Sequence, residues 1–417
     1  MSGQRTSPVW HPFTQHALAG DFPVIARSDG VWLETVDGRR ILDAISSWWV
    51  ITHGHRQPRI VAAIKQAAER IDQVIFAGLT HEAAEKVAAR LIEIAPPGLS
   101  HVFYSDSGST SVEVALKMAL GHWLRRGERR TRILALEHGY HGDTVGAMSA
   151  GARGVFNAAY APLLFEVGHI PFPGAGSEQD CLDALERECR QGDGAALIVE
   201  PLVLGAGGML IYSAGVLSEM ASICRRYGVL FIADEVMTGF GRTGTLFACE
   251  QAGVTPDIMC IAKGLTGGAL PLAATLSTPE IFQSHFSKDR TRTLFHSSSY
   301  TANPIACAAA LENLEIWRTE PVGDRIAGLT AQHAGALERF RSDDRIEGVR
   351  QIGTIAVLDV AVRDSGYLSE VGPRLHDAFM ARGILLRPLG NTIYIMPPYC
   401  IASSELNSVY EVIDGVL

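Results

Sequence analysis

The chain has 417 residues, 47% of them hydrophobic and 19% charged, with a net charge of −9. That length suits two or three domains, or one large α/β unit with a smaller companion, and such a core closes without disulfides or metals. The apolar content excludes a disordered chain, and an acidic balance with no basic stripe gives nucleic acid no electrostatic footing.

In chain order, residues 1–13 lack a basic stretch followed by an apolar run, so no leader is expected. Phe22–Ala26 and Gly30–Glu34 read as short strands, followed by a turn at Asp37–Gly38 and the aromatic pair Trp48–Trp49. From Ile60 to about Ile94, apolar residues recurring at three and four predict helix. Between about 100 and 280, the runs HVFYSDSG, RILALEHG, AALIVEP, VLFIADE, IMCIAKG and LAATLS alternate with helical stretches. That alternation predicts a largely parallel sheet covered by helices on both faces. Ligands of such sheets bind beyond the carboxyl ends of the strands, which here carry Ser107, Glu137–His138, Glu200, Asp234–Glu235 and Lys263. A helix over Ala306–Trp317 then leads into a smaller α+β region with strand signals at Gly353–Val360 and Gly390–Met396.

Seven scattered cysteines form no CxxC pair, so neither a disulfide framework nor a metal site is expected. No apolar run approaches the ~18 residues that span a bilayer, and the expectation is a cytoplasmic protein without membrane contact.

Only 5 of the 36 basic residues are lysines. Lys65, Lys86 and Lys117 fall on amphipathic helices and Lys288 in the polar stretch HFSKDR, where a solvated ammonium is the ordinary reading. Lys263 alone follows an apolar strand, in PDIMCIAKGLTGG. An ammonium there is costly unless paired or used covalently, and burial lowers an amine's pKa, freeing the lone pair that Schiff-base chemistry needs. The other reading is a lysine emerging from the sheet into solvent. Asp234 closes the strand VLFIADE 29 residues earlier, where a carboxylate can keep a pyridine nitrogen protonated or simply anchor a loop. Ser107-Gly108-Ser109-Thr110 lies at a strand end and opens the helix Ser111–Arg126, which makes it either a phosphate seat or a plain Ser/Thr cap. Lysine, strand-end aspartate and phosphate seat together point to pyridoxal phosphate.

Two motifs carry less. Gly239-Phe240-Gly241-Arg242-Thr243-Gly244 matches GxGxxG but is followed by turn-like residues rather than a helix, so a dinucleotide site is not expected. His81-Glu82-Ala83-Ala84-Glu85 opens like a zincin motif without its second histidine, and His53 and His55 read as structural.

DEVMTGFGRTG followed by PDIMCIAKGLTGG resembles the class III aminotransferases of pyridoxal-phosphate fold type I, over essentially the whole chain. Within that class, WHPFT at Trp10–Thr14, SSWW at Ser46–Trp49, and Arg387-Pro388 with YIMPPY at Tyr394–Tyr399 are similar to the 7,8-diaminononanoate synthase family of biotin synthesis. The resemblance implies an α/β fold: a large cofactor-binding domain over 51–300 with a mainly parallel sheet, and a smaller α+β domain over 301–417 joined by residues 1–50. It implies pyridoxal phosphate, with Lys263 bonded to its aldehyde and later moving the proton, and Asp234 on the pyridine nitrogen. Tyr140 would stack on the ring, with Gly108 and Ser109 on the phosphate. Ser299 would reach the phosphate of a neighbouring subunit, hence a homodimer with shared active sites. Trp48 and Trp49 would line the substrate channel, Arg387 would hold a substrate carboxylate, and Asp143, Arg242 and Tyr394 would shape the rest of the pocket.

The implied reaction is amino transfer to the keto acid 8-amino-7-oxononanoate, giving 7,8-diaminononanoate by a ping-pong route. The donor in that family is mostly S-adenosylmethionine. Another ω-amino-acid or diamine transaminase on the same scaffold is the alternative. Phe13 stands where the family usually has tyrosine, which removes a hydroxyl from the amine end of the pocket.

Overall fold

The computed structural model describes residues 7–363 and 365–417. Seven strands form the central sheet: β1 (His101–Ser105), β2 (Arg132–Leu136), β3 (Val167–Ile170), β4 (Gly194–Val199), β5 (Leu230–Asp234), β6 (Ile258–Ile261) and β7 (Ala273–Ser277). Their spatial order is β1-β7-β6-β5-β4-β2-β3. Every residue of β4, β5, β6 and β7 is buried, which is why these strands read as unbroken apolar runs rather than alternating ones. The sheet is largely parallel, as expected, with one antiparallel strand, β7, which pairs with both β6 and β1. The six remaining strands share one direction, so their carboxyl ends open on one edge.

The helix predicted from Ile60 to Ile94 is two helices, Pro58–Ala68 and Glu82–Ile94. His81 starts the second: its imidazole accepts a hydrogen bond from the Ala84 N–H (3.3 Å), while its other nitrogen meets the Ala302 carbonyl (2.7 Å). This cap is what the zincin-like residues do here. α1 (Gly108–Arg125) begins three residues earlier than expected because Ser107 and Thr110 form a reciprocal capping box. The glycine-rich stretch 239–244 is a run of turns and opens no helix.

A second core lies beside the sheet. Strands Ile25–Asp29, Trp32–Thr35 and Arg40–Asp43 form an antiparallel ribbon, and Arg40–Asp43 pairs in parallel with Ile384–Leu385. A three-stranded antiparallel sheet of Ile346–Ile352, Ile355–Val360 and Thr392–Ile395 packs nearby against helices Val322–Leu337 and Ser403–Val416. α2 (Pro304–Thr319) runs between the two cores, burying Ala306, Cys307 and Ala310 in one and Ala309 and Ile316 in the other. Among the described residues no helix is long and apolar enough to cross a membrane.

Two buried histidines give the fold a pH signature. His333 bonds the Tyr410 hydroxyl (2.6 Å) in the second core, and burial lowers its pKa to about 3; burial likewise lowers that of His53 to about 4. Both are neutral when folded, whereas the unfolded chain takes up protons once the pH drops below the ordinary imidazole value near 6.5. Their contribution to stability is therefore complete above pH ~6.5 and shrinks on acidification towards pH 4, by on the order of 3 kcal/mol for His333. His333→Asn, which keeps a partner for Tyr410, should flatten the dependence of melting temperature on pH between 6.5 and 4. An unchanged slope in that series would remove His333 as its source.

Candidate active site

The shared edge of the parallel strands gathers the chemistry. A cavity of about 450 Å³ is lined by Asp106–Ser109 after β1, Tyr140–Gly142 after β2, Glu200 after β4, Asp234 ending β5 and Lys263 just after β6. A second cavity of about 440 Å³ adjoins it, walled by Phe13, Trp48, Phe156, Tyr367 and Tyr394 and containing Arg387. Trp49, Val50, Tyr140 and Lys263 line both cavities, which places the lysine at their junction.

Lys263 opens a short 3-10 turn, Lys263–Thr266, and its amine lies 5.1 Å from the centre of the Trp49 ring. Burial lowers its pKa, outweighing the Asp234 and Glu200 carboxylates that pull the other way, so a larger share of the amine is neutral near pH 7 than in an exposed lysine. Asp234 is held at both oxygens: one accepts the Val236 N–H (3.2 Å), the other meets His141 Nδ1 (2.7 Å). His141 is 4% exposed and its Nε2 has no partner, so the ring serves to fix the carboxylate.

Glu200 ties the strand ends together. One oxygen accepts the Tyr140 N–H and the other the Gly205 N–H, each at 2.9 Å. Burial, with Asp234 close by, pushes its pKa up to about 7. Desolvation raises the pKa of the Tyr140 phenol, so it stays protonated. Ser109 Oγ accepts the Asp143 N–H (3.2 Å), fastening α1 to the Tyr140–Asp143 loop.

The residues present fit a phosphorylated pyridine aldehyde. The N-terminus of an 18-residue helix faces the cavity, with Gly108 and Ser109 on its wall. A Cβ at Gly108 would come within 2.6 Å of the Val236 side chain, so the floor is closed by close approach of backbone to side chain. The carboxylate and the amine supply the two remaining partners such a ring needs.

Local chemistry also explains the tryptophans. Asp43, fully buried, accepts the N–H groups of Ile45 (3.1 Å) and Ser47 (2.6 Å) and bonds His55 Nε2 (2.8 Å). That carboxylate holds a turn in which Ser46, Ser47 and Trp49 all have positive φ, between 55° and 66°. Such a conformation persists only where surrounding contacts over-determine it. It turns Trp49 inward against Tyr394 (ring centres 5.9 Å apart) and leaves Trp48 42% exposed over Phe13 (5.5 Å) and the Arg387 guanidinium (5.4 Å). Arg387 also donates to the Phe13 carbonyl (3.3 Å).

Two expected residues, Arg242 and Ser299, lie outside both cavities, and a third, Asp143, lies at the edge of one. Arg242 lines neither cavity: it is 1% exposed, donating to the carbonyls of Pro397 (3.2 Å), Trp49 (3.3 Å) and Ile51 (2.9 Å), with Tyr399 beneath it at 5.0 Å. Its place in the pocket wall is therefore corrected to a buried tie behind it, where carbonyl dipoles take up its charge. Asp143 sits exposed at the rim of the aromatic cavity. Ser299 is exposed and lines neither cavity of its own chain, while its carbonyl accepts from Gln73 (2.7 Å). Asp43, His141, Phe156 and Tyr367 escaped the sequence reading. Of these, only His141, beside Tyr140 in HGYHGDT, carried a local signal. Among the described residues no group of three or more His, Cys, Asp or Glu is placed to hold a metal.

Comparison with known proteins gives the same reading of the scaffold. The family model for class III aminotransferases matches residues 17–417. The chain is 46% identical to the adenosylmethionine-8-amino-7-oxononanoate aminotransferase of Synechococcus elongatus, covering 98% of each, and 38% identical to that of Geobacter sulfurreducens, covering 98% of this chain and 94% of the relative. Among solved structures, the enzyme of that name from Methanocaldococcus jannaschii superposes with a TM-score of 0.94 at 34% identity, covering 98% and 96% of the two chains. An amine transaminase from an uncultivated Pseudomonas species, in its PLP-bound form, gives 0.93 at 32% identity, covering 98% of both. With its lysine at the junction of two cavities and this likeness over nearly its whole length, the chain belongs to the class III aminotransferases.

Proposed function

We propose that this chain transfers an amino group to 8-amino-7-oxononanoate, making 7,8-diaminononanoate for biotin synthesis, with S-adenosylmethionine as donor and pyridoxal phosphate as cofactor. The observation that carries this reading is the placement of one amine between a cavity of about 450 Å³ that carries a helix N-terminus and carboxylates and an aromatic one containing an arginine. The relatives named above support the choice of substrate.

When bound, pyridoxal phosphate supplies an electron-poor ring that stabilises negative charge on the substrate carbon joined to it. Asp234, anchored by His141, keeps the proton on the ring nitrogen. The N–H groups at the start of α1 and the Ser109 hydroxyl bind the phosphate, and Tyr140 covers the ring. Lys263, whose pKa burial lowers, would take the proton from substrate carbon and return it to the cofactor side in each half of the cycle.

The aromatic cavity matches a chain of about five methylenes ending in a carboxylate. Burying those methylenes against Trp48, Trp49 and Phe156 contributes on the order of 4 kcal/mol, and Arg387 binds the far carboxylate through charge-assisted hydrogen bonds.

The proposed assembly is a cytoplasmic homodimer in which each subunit's Ser299 reaches the phosphate bound by the other; its exposure outside its own cavities supports that role. The proposed division is a cofactor-binding unit over 51–300 and a smaller unit over 301–417 that residues 1–50 complete, supported by the pairing of Arg40–Asp43 with Ile384–Leu385.

Purified enzyme given S-adenosylmethionine should lose its visible cofactor absorbance and regain it on addition of 8-amino-7-oxononanoate. Recovery with pyruvate but not with that keto acid would make the chain a different ω-transaminase. Lys263→Ala should lower turnover by at least about a thousandfold and remove the visible band, and retention of both would deny the lysine its role. Arg387→Ala should raise KM for the keto acid roughly 10- to 100-fold, with a much smaller rise for the donor. Equal effects on both would place carboxylate recognition elsewhere.

A further inference from the structure

The backbone that presents Lys263 is an irregular piece of chain. The residue has left β6, its φ is +20°, and Ala262 before it is also outside helical and strand geometry, at φ −156° and ψ −122°. A non-glycine residue keeps such a position only under external restraint. On one side the turn presses against Phe240: a Cβ at Gly264 would come 2.7 Å from that residue's Cβ.

On the other side lies Asn313, in the third turn of α2 and fully buried. Its Nδ2 donates to the carbonyls of both Gly264 and Leu265, each at 3.0 Å. Two carbonyl acceptors at one terminal atom fix the amide orientation, since only the –NH2 end can meet them. These are the two carbonyls that follow Lys263. α2 is a firm anchor, because Asn303 caps its start through Ala306 N–H (3.0 Å) and also bonds the Asp72 carbonyl (3.0 Å) and Gln73 Oε1 (2.9 Å).

We propose that Asn313 is a positioning residue for catalysis: by pinning the Gly264 and Leu265 carbonyls it holds the Lys263 backbone in the strained conformation that aims the amine into the junction of the two cavities. This rests on Lys263 being the reacting amine. Without the two donated hydrogen bonds the turn relaxes, and the side chain swings towards the wider, wetter part of the cavity. The fold itself does not depend on these bonds, since the sheet and α2 pack through apolar side chains on either side.

Competitive acetylation of the cofactor-free full-length protein, read by mass spectrometry, gives the pH midpoint at which each lysine becomes reactive, with exposed Lys65 as internal reference. In the unsubstituted chain the Lys263 midpoint should lie below that of Lys65. In Asn313→Leu it should rise towards the Lys65 value. In the holoenzyme of that variant, kcat should fall at least about tenfold while KM for the keto acid changes less than about threefold. Asn313→Asp, of nearly the same size but unable to donate when ionised, should give the same two shifts and serves if the leucine variant does not fold. A folded variant whose Lys263 midpoint is unchanged overturns the proposal whatever its kcat, and so does failure of both variants to fold. Because the midpoint is read without cofactor or substrate, failure of 8-amino-7-oxononanoate as a substrate would sink the proposed function and leave this inference standing.

Discussion

An amine is useful to this site only while it is partly stripped of water, and a stripped cation is stable only beside negative charge. The edge of the sheet holds both conditions in tension. Burial drives the Lys263 pKa down, while Asp234 and Glu200 draw it up, and burial prevails. The carboxylates are kept from collapsing onto the amine because each is already engaged. Asp234 is held by His141 and the Val236 N–H, and Glu200 by two backbone N–H groups. The rest of the architecture maintains that separation: six co-directional strands deliver the groups to one edge, and helices seal the faces behind them.

The two chambers divide the labour by polarity. One offers a helix N-terminus and carboxylates, which suit a dianion and a protonated ring. The other offers aromatic faces with one guanidinium, which suit an aliphatic chain with a terminal anion. Trp49 and Tyr140 belong to both walls, so a change at either is felt by cofactor and substrate together. The inward turn of Trp49 depends on the Asp43 carboxylate, which makes a buried acid outside both cavities part of their shape.

Much of the sheet and of the polar chamber was legible in the sequence because its strands are short and largely apolar and several end abruptly at a polar side chain. Lys263, Asp234 and Ser107–Ser109 all announce themselves in this way. The largely parallel character of the sheet was legible, but which strand runs the other way was not, because a fully buried run such as β7 looks the same in either direction. The stretch 60–94 was read as helical throughout because apolar residues recur at three and four in both of its helices. Arg242 was placed in the pocket by the family resemblance alone, and no local pattern reveals that its acceptors are carbonyls at residues 49, 51 and 397. Phe156, Tyr367 and Asn313 act across long sequence separations, which single-chain pattern cannot report, whereas the Asp43 contacts to Ile45, Ser47 and His55 are short-range but follow no recognisable motif.

The pairing of Arg40–Asp43 with Ile384–Leu385 sets an order on biosynthesis. Apart from Trp49 and Val50, every residue lining the polar chamber falls between 106 and 272, so its walls are available once two-thirds of the polypeptide has left the ribosome. The aromatic chamber needs Phe13 and Trp48 from the beginning together with Arg387 and Tyr394 from near the end. Long-range closure of that kind is slow relative to local folding. The walls of the first chamber therefore come from one nearly contiguous stretch of chain, and those of the second only when both ends of the chain have met.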